Sequence, residues 1–171
     1  DLWSDPEENR LFFRRMGLRD DQIIPVKADA TDLPFEENFF DGIISTDSYN
    51  YFGRDPAYLD QKLLPFVKPG GYVYIAIPGM KRDCHQHLPK ELLLSWTPEQ
   101  LEYMHDAAYW RRMVSQCHGA DVLAVEEMQS NDEVWADWLR QDNEYAVGDR
   151  KAMEAGGGKY LNFIRIVLRR R

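Results

Sequence analysis

The sequence predicts an α/β domain built on a mostly parallel sheet. Two observations carry this reading. Apolar, β-branched runs at 40–46, 72–78 and 120–128 alternate with amphipathic helical segments, the spacing of βαβ units. The last run, 160–169, instead alternates apolar and polar residues, which suits an edge or antiparallel position better than the centre of a parallel sheet.

Taken in order, residues 4–18 read as a helix, with Ser4 as N-cap, Pro6, Glu7 and Glu8 in the first turn, and Leu11, Phe12 and Met16 on one side. Gly17 stops it. Residues 23–28 (IIPVKA) read as a short strand, and the turn-rich TDLPFEEN leads to the strand at 40–46. Asp55-Pro56 opens a helix through Tyr58, Leu59, Leu63 and Leu64 that ends near Pro65. Residues 68–71 (KPGG) read as a tight turn, because two glycines supply positive φ freely, and deliver the chain into the strand 72–78. Residues 80–95 are polar and irregular. Thr97-Pro98-Glu99 starts a helix over 98–117, with Gly119 as its stop. A strand at 120–128 and a helical stretch at 132–153 follow, the latter with Trp135, Trp138 and Leu139 on one face. Gly156, Gly157 and Gly158 form the break before the final strand.

The bulk numbers bound the function. A chain of 171 residues is read as one domain, 1–171, and its 44% hydrophobic and 29% charged content suits a soluble globular protein. A net charge of -8 counts against a protein that grips nucleic-acid phosphates. Two cysteines, Cys84 and Cys117, are too few for a disulfide framework and suit a reducing cytoplasm. There is neither an apolar run of membrane length nor a signal peptide, so no membrane partner is expected and a cytoplasmic location is. Asp1 opens the chain in what reads as the middle of an element, so the sequence reads as a domain truncated at its N-terminus.

Four pieces, in order, resemble class I S-adenosylmethionine (SAM) methyltransferases. They are Asp1-Leu2-Trp3; Ala28-Asp29-Ala30 with Leu33-Pro34-Phe35; Phe40-Asp41-Gly42-Ile43-Ile44-Ser45; and Val67-Lys68-Pro69-Gly70-Gly71-Tyr72. The resemblance is close over 1–80 and rests on element order alone over 120–169. It implies a Rossmann-like SAM methyltransferase sheet, mostly parallel with the last strand antiparallel, in the family order 3-2-1-4-5-7-6. The family's glycine-rich loop is not among these residues.

The resemblance also implies roles. SAM is the expected cofactor. Asp1 would accept the ribose hydroxyls, with Leu2 and Trp3 flanking the adenine. Asp29 would accept from the adenine amino group, and the Ala30 N–H would reach a ring nitrogen. Ser45 and Thr46 lie at a strand's carboxyl end, where backbone carbonyls would meet the methionine amino group. Asp47, Tyr49, Tyr51 and Phe52 follow and would face the methyl acceptor, since an aromatic wall suits a planar or cationic group. Plainer readings stand beside these: Asp1 as a solvated residue, Asp29 as a cap of its own turn, and the aromatics as core packing. Asp41 is read as structural.

Cys84-His85-Gln86-His87 has no partner set at zinc spacing, so no metal is expected; His85 or His87 could serve as a base. No nucleophile elbow, P-loop or kinase pattern is present, and no catalytic side chain is assigned. The expected function is therefore an enzyme that transfers a methyl group from SAM to a small-molecule acceptor by alignment and proximity. The alternatives are a non-catalytic truncated domain that folds or oligomerises without cofactor and, more remotely, an NAD-dependent oxidoreductase. A strand at 23–28 without its usual neighbour could pair with a second chain, so a homodimer is possible.

Overall fold

The computed structural model describes residues 4–171, and the chain divides into two units between Glu36 and Glu37. In the first, α1 spans Pro6–Arg15. Its N-cap is Asp5, not Ser4: the Asp5 carboxylate accepts the Glu7 N–H at 2.7 Å. Proline at the first helical position lacks the N–H that a helix leaves unpaired there, so the residue before Pro6 becomes the cap. Gly17, at φ +82°, closes the helix, and Arg14 pairs with Asp20 just beyond it.

The expected strand at 23–28 does not form; that stretch is irregular. A strand exists only as a rung of a ladder, and Ile24, 71% exposed, has no sheet face to pack on. Its apolar composition alone was not enough.

The second unit holds one sheet of four strands: β1 (Phe40–Thr46), β2 (Val67–Met80), β3 (Ala120–Glu127) and β4 (Leu161–Arg170), in the order β1-β2-β4-β3. β1 pairs parallel with β2, and β4 runs antiparallel between β2 and β3. This is the 4-5-7-6 half of the order that the resemblance implies. The last strand is antiparallel as expected but interior, not at an edge. Its alternation has a different cause. Asn162, Ile164, Ile166 and Leu168 are buried, at 0–1% exposure, on the face they share with Val73, Ile75 and Ile77 of β2. Arg165 and Arg169 stand on the open face, where Arg169 lies over Tyr72.

The stretch expected as a tight turn, 68–71, is a bulge inside β2. Between the pairs Phe40↔Val67 and Gly42↔Tyr72 the register jumps, one residue on β1, Asp41, facing four on β2, 68–71. Gly70 takes φ +82°, and a Cβ on Gly71 would stand 2.6 Å from the Asp41 carbonyl oxygen. Only glycine fits both demands. Lys68 Nζ meets Asp41 Oδ1 at 2.7 Å across the bulge, which agrees with a structural part for Asp41. As an exposed pair it contributes little stability.

The helices are shorter than the apolar patterns suggest. The segment opened by Asp55 forms a wide π-type turn at Leu59–Leu63 and a tight 3₁₀ turn at Leu64–Phe66, since Pro65 cannot donate to a regular helix. A short helix the sequence did not suggest, α2, spans Tyr49–Phe52. The expected 98–117 helix is two pieces, α3 (Pro98–Leu101) and α4 (Ala107–Val114). Asp106 restarts the chain as an N-cap, accepting the Tyr109 N–H at 2.8 Å. Likewise 132–153 is α5 (Asn131–Leu139) and α6 (Glu144–Glu154), with Asn143 accepting the N–H groups of Tyr145 and Ala146. An internal cap residue offers the backbone N–H groups an alternative partner, and the continuous helix loses.

Two polar anchors tie the distant ends of this unit. The Arg170 guanidinium donates to Asn38 Oδ1 at 2.7 Å, to the Pro65 carbonyl at 3.1 Å, and to the Val67 carbonyl. Asp60 accepts the N–H groups of His118 (2.9 Å) and Gly119 (2.8 Å) and the Cys117 thiol (3.1 Å). Burial pushes the Asp60 carboxyl up, but these three donors together hold it below its ordinary 3.8. Its contribution to stability is therefore complete above that ordinary value and is lost as the pH falls through the lower folded value. Asp60→Ala should cost about 1–3 kcal/mol, because two backbone donors lose their acceptor. Denaturant titrations should show this loss near neutral pH, and the variant should lose less stability than the parent between about pH 5 and pH 2.

Candidate functional site

β1 and β2 run parallel, so their carboxyl ends lie on one side of the sheet, where ligands of open α/β sheets sit. The chain leaves β1 through a sharp turn. Asp47 has φ +48°, and its N–H bonds the Ala76 carbonyl of β2 at 2.8 Å. A left-handed non-glycine residue carries a backbone cost of about 1–3 kcal/mol, tolerated best by Asn and Asp. Ser45 and Ser48 face each other across the turn, Oγ to Oγ at 3.0 Å.

α2 then divides the aromatic run between interior and surface. Tyr49 is 1% exposed, its ring against Phe52, Tyr58 and Trp110, and burial pushes its hydroxyl well above the ordinary range. Packing is what Tyr49 does here. Phe52, half-buried, lies beside Tyr58 at 4.7 Å. Tyr51 points outward at 59% exposure, and its ring meets Tyr103 at 5.0 Å. Arg54 lies over the Tyr103 ring, 4.4 Å from its centre.

The segment carrying Tyr103, between α3 and α4, crosses the end of β2. The His105 carbonyl accepts the Met80 N–H at 3.2 Å, and the His105 ring stacks on Tyr109 at 3.6 Å. Burial, the neighbouring His85 and Arg54 together lower His105 to about 4, so it is neutral at physiological pH. His85 follows β2 and is held at both ring nitrogens: Nδ1 lies 2.7 Å from Asp83 Oδ1, and Nε2 lies 3.0 Å from the Leu101 carbonyl. A base needs a free lone pair, and both of the His85 nitrogens are engaged.

A second carboxylate acts on the same end of the sheet. Asp149 of α6 accepts the Trp138 indole N–H at 2.8 Å. Loss of solvation raises the Asp47 carboxyl, and the charge of Asp149 raises it further. Asp149 is itself raised by burial, against the pull of the Trp138 bond. Repulsion of this kind favours a positively charged ligand.

The site residues expected from the sequence are therefore divided. Asp1, Leu2 and Trp3 lie outside the described residues. Asp29 and Ala30 belong to the first unit, where Asp29 Oδ1 accepts both the N–H (2.8 Å) and the hydroxyl (2.7 Å) of Thr31. Ser45, Thr46, Asp47, Tyr51 and Phe52 gather at the end of β1. Tyr103, His105 and Asp149 join them from segments 50 to 100 residues away, with no local pattern to announce them. Among the described residues no group of three or more His, Cys, Asp or Glu side chains is placed to hold a metal ion. Nor is any helix of them long and apolar enough to cross a membrane.

Residues 5–75 match the family model described as a methyltransferase domain. No curated protein matches the sequence. Among solved structures, a candidate sarcosine dimethylglycine methyltransferase from Galdieria sulphuraria is 20% identical with a TM-score of 0.66, over 96% of this chain and 65% of its own. A geranyl diphosphate C-methyltransferase from Streptomyces coelicolor is 14% identical with a TM-score of 0.64, over 95% of this chain and 58% of its own. The [4+2]-cyclase SpnF is 16% identical with a TM-score of 0.63, over 96% and 62%. The chain thus spans less than two thirds of the length of these structures, from 58% to 65%. Its fold is that of the Rossmann-like SAM methyltransferases, and its first half carries their sequence match.

The crossing of β2 by the His105 segment depends on Gly79, where a Cβ would lie 2.5 Å from the His105 carbonyl oxygen and 2.6 Å from Ile164 Cδ1. Gly79→Ala should therefore destabilise the protein by about 1–3 kcal/mol in urea titrations. Gly148→Ala, in α6 with nothing within 4 Å, should stabilise it by about 0.4–1 kcal/mol.

Proposed function

We propose that the protein to which this chain belongs transfers a methyl group from SAM to a small-molecule acceptor. The observation that carries this is the methyltransferase match over 5–75 on a sheet of matching topology, with its functional end built by 45–52. SAM supplies a methyl on a sulfonium whose sulfur leaves as a neutral thioether, so the reaction needs no acid for the leaving group. What remains for the protein is to bind, align and exclude water.

The residues present suit a cationic cofactor. The carboxyl end of β1 offers the backbone carbonyls of Ser45 and Thr46, and Asp47 and Asp149 concentrate negative charge beside them. In this reading the two carbonyls take the methionine ammonium. Asp29 keeps Oδ2 available among the described residues, since both Thr31 bonds fall on Oδ1; Oδ2 accepts from the adenine amino group, and the Ala30 N–H serves a ring nitrogen. Asp1, with Leu2 and Trp3, takes the ribose and one adenine face. Tyr51, Phe52 and Asp47 line the acceptor side, with Tyr103 completing the wall. In this reading a neutral His105 takes a proton from an acceptor that arrives protonated.

The substrates named for the similar structures, an amino acid derivative and an isoprenoid diphosphate, differ too much in charge to choose an acceptor for this chain. The SpnF likeness shows that this fold also serves another reaction, so methyl transfer needs its own test.

Calorimetry of the natural full-length protein should register SAM binding; absence of heat at millimolar cofactor would overturn the proposal. Asp29→Ala should weaken SAM binding about tenfold, the loss of one charge-assisted hydrogen bond of about 1.5 kcal/mol. Tyr51→Ala should leave SAM affinity unchanged and raise the KM for the acceptor.

A further inference from the structure

Two segments close the end of β2: residues 81–88, which continue from it, and residues 101–106, whose His105 carbonyl caps Met80. His85 joins them directly. Asp83 Oδ1 accepts both the backbone N–H of His85 at 2.9 Å and its Nδ1 at 2.7 Å. Across the gap, Nε2 lies 3.0 Å from the Leu101 carbonyl oxygen. A carboxylate and a carbonyl can only accept. Both ring nitrogens must therefore carry hydrogen, and a ring with two N–H groups is the imidazolium cation. The Asp83 N–H adds a second link to the same segment through Asp106 Oδ2, at 3.3 Å.

We propose that His85 is a positioning residue: a proton-dependent clip that holds 81–88 against 101–106 and so sets Tyr103 and His105 at the mouth of the candidate site. The consequence for function rests on the methyltransferase reading; the clip itself does not. Loss of one proton leaves a lone pair facing either the Asp83 carboxylate or the Leu101 carbonyl, and that side of the clip becomes repulsive.

The surroundings agree on the sign. Burial opposes the charge on His85, but the Leu101 carbonyl and Asp83 outweigh it, with Glu102 adding to them, and raise the group above its ordinary 6.5. The Asp83 hydrogen bonds lower that carboxyl and keep it ionised. His105, 4.9 Å away ring to ring, is lowered in part by the His85 charge and in part by Arg54. Asp106 faces the clip from the cap of α4. The clip is thus closed below the ordinary histidine value and opens as the pH rises through the raised one.

The test uses the whole protein without cofactor or acceptor, so its outcome is independent of methyl transfer. Ring-nitrogen NMR of ¹⁵N-histidine protein, assigned with His85→Gln, should show both His85 nitrogens protonated at pH 6 and a titration point above 6.5. Amide exchange in 83–88 and 101–106, corrected for its intrinsic pH dependence, should accelerate about tenfold through the same transition. In His85→Gln, exchange in both segments should be fast at every pH, and the apparent His105 titration point should rise. One unprotonated nitrogen on His85 at pH 6 would overturn the proposal. So would exchange in the wild-type segments that ignores the His85 titration.

Discussion

Everything in the larger unit hangs on β4 lying between β2 and β3. Backbone N–H and C=O groups buried in a sheet must be paired, and β4 supplies the partners for one side of each neighbour, from Tyr72 to Met80 and from Ala120 to Glu127. Without it, β3 has no connection to the sheet and the inner face of β2 loses Ile164, Ile166 and Leu168. Because β4 is also the last strand in sequence, its pairings are long-range, and Arg170 extends them to Asn38. The loop-closure entropy of those pairings adds to the cost of ordering the strands and slows the formation of this sheet.

That architecture decides where chemistry can be placed. Two parallel strands ending together create an open rim at their carboxyl ends, and the antiparallel insertion of β4 starts its own strand beside that rim, at Leu161 opposite Met80. Segments leaving β1, leaving β2 and entering α4 are therefore forced into one small region. Asp47, Tyr51, Tyr103 and His105 meet there for topological reasons, and their chemistry is an acidic, aromatic surface with one neutral imidazole.

The strands were largely legible in sequence, since β-branched runs such as YVYIAIP have few alternatives once buried. The shorter apolar run at 23–28 also reads as a strand in composition, yet a strand is a property of a pair, and nothing local reveals whether a neighbour exists. Helix lengths failed for a local reason. Asp106 and Asn143 sit inside apolar patterns that continue on both sides, and the pattern does not register that each offers its side chain to the next turn. At the site, Asp47 and Tyr51 could be found because they follow a strand directly. Tyr103, His105 and Asp149 could not, because their proximity is a product of the sheet order. Tyr49 shows the converse: within one short helix, adjacent aromatics serve the interior and the surface, and only the fold assigns which.

The left-handed conformation of Asp47 has an evolutionary corollary. Aspartate, asparagine and glycine are the residues that a φ of +48° accepts readily, so drift at this position is confined to three side chains. Those three differ in charge and hydrogen bonding while sharing one backbone. Position 47 is thus a place where the rim can exchange an anion for an amide, or for nothing, with the scaffold unchanged. A lineage built on this sheet could retune which ligands the rim tolerates through single substitutions that its folding stability would scarcely notice.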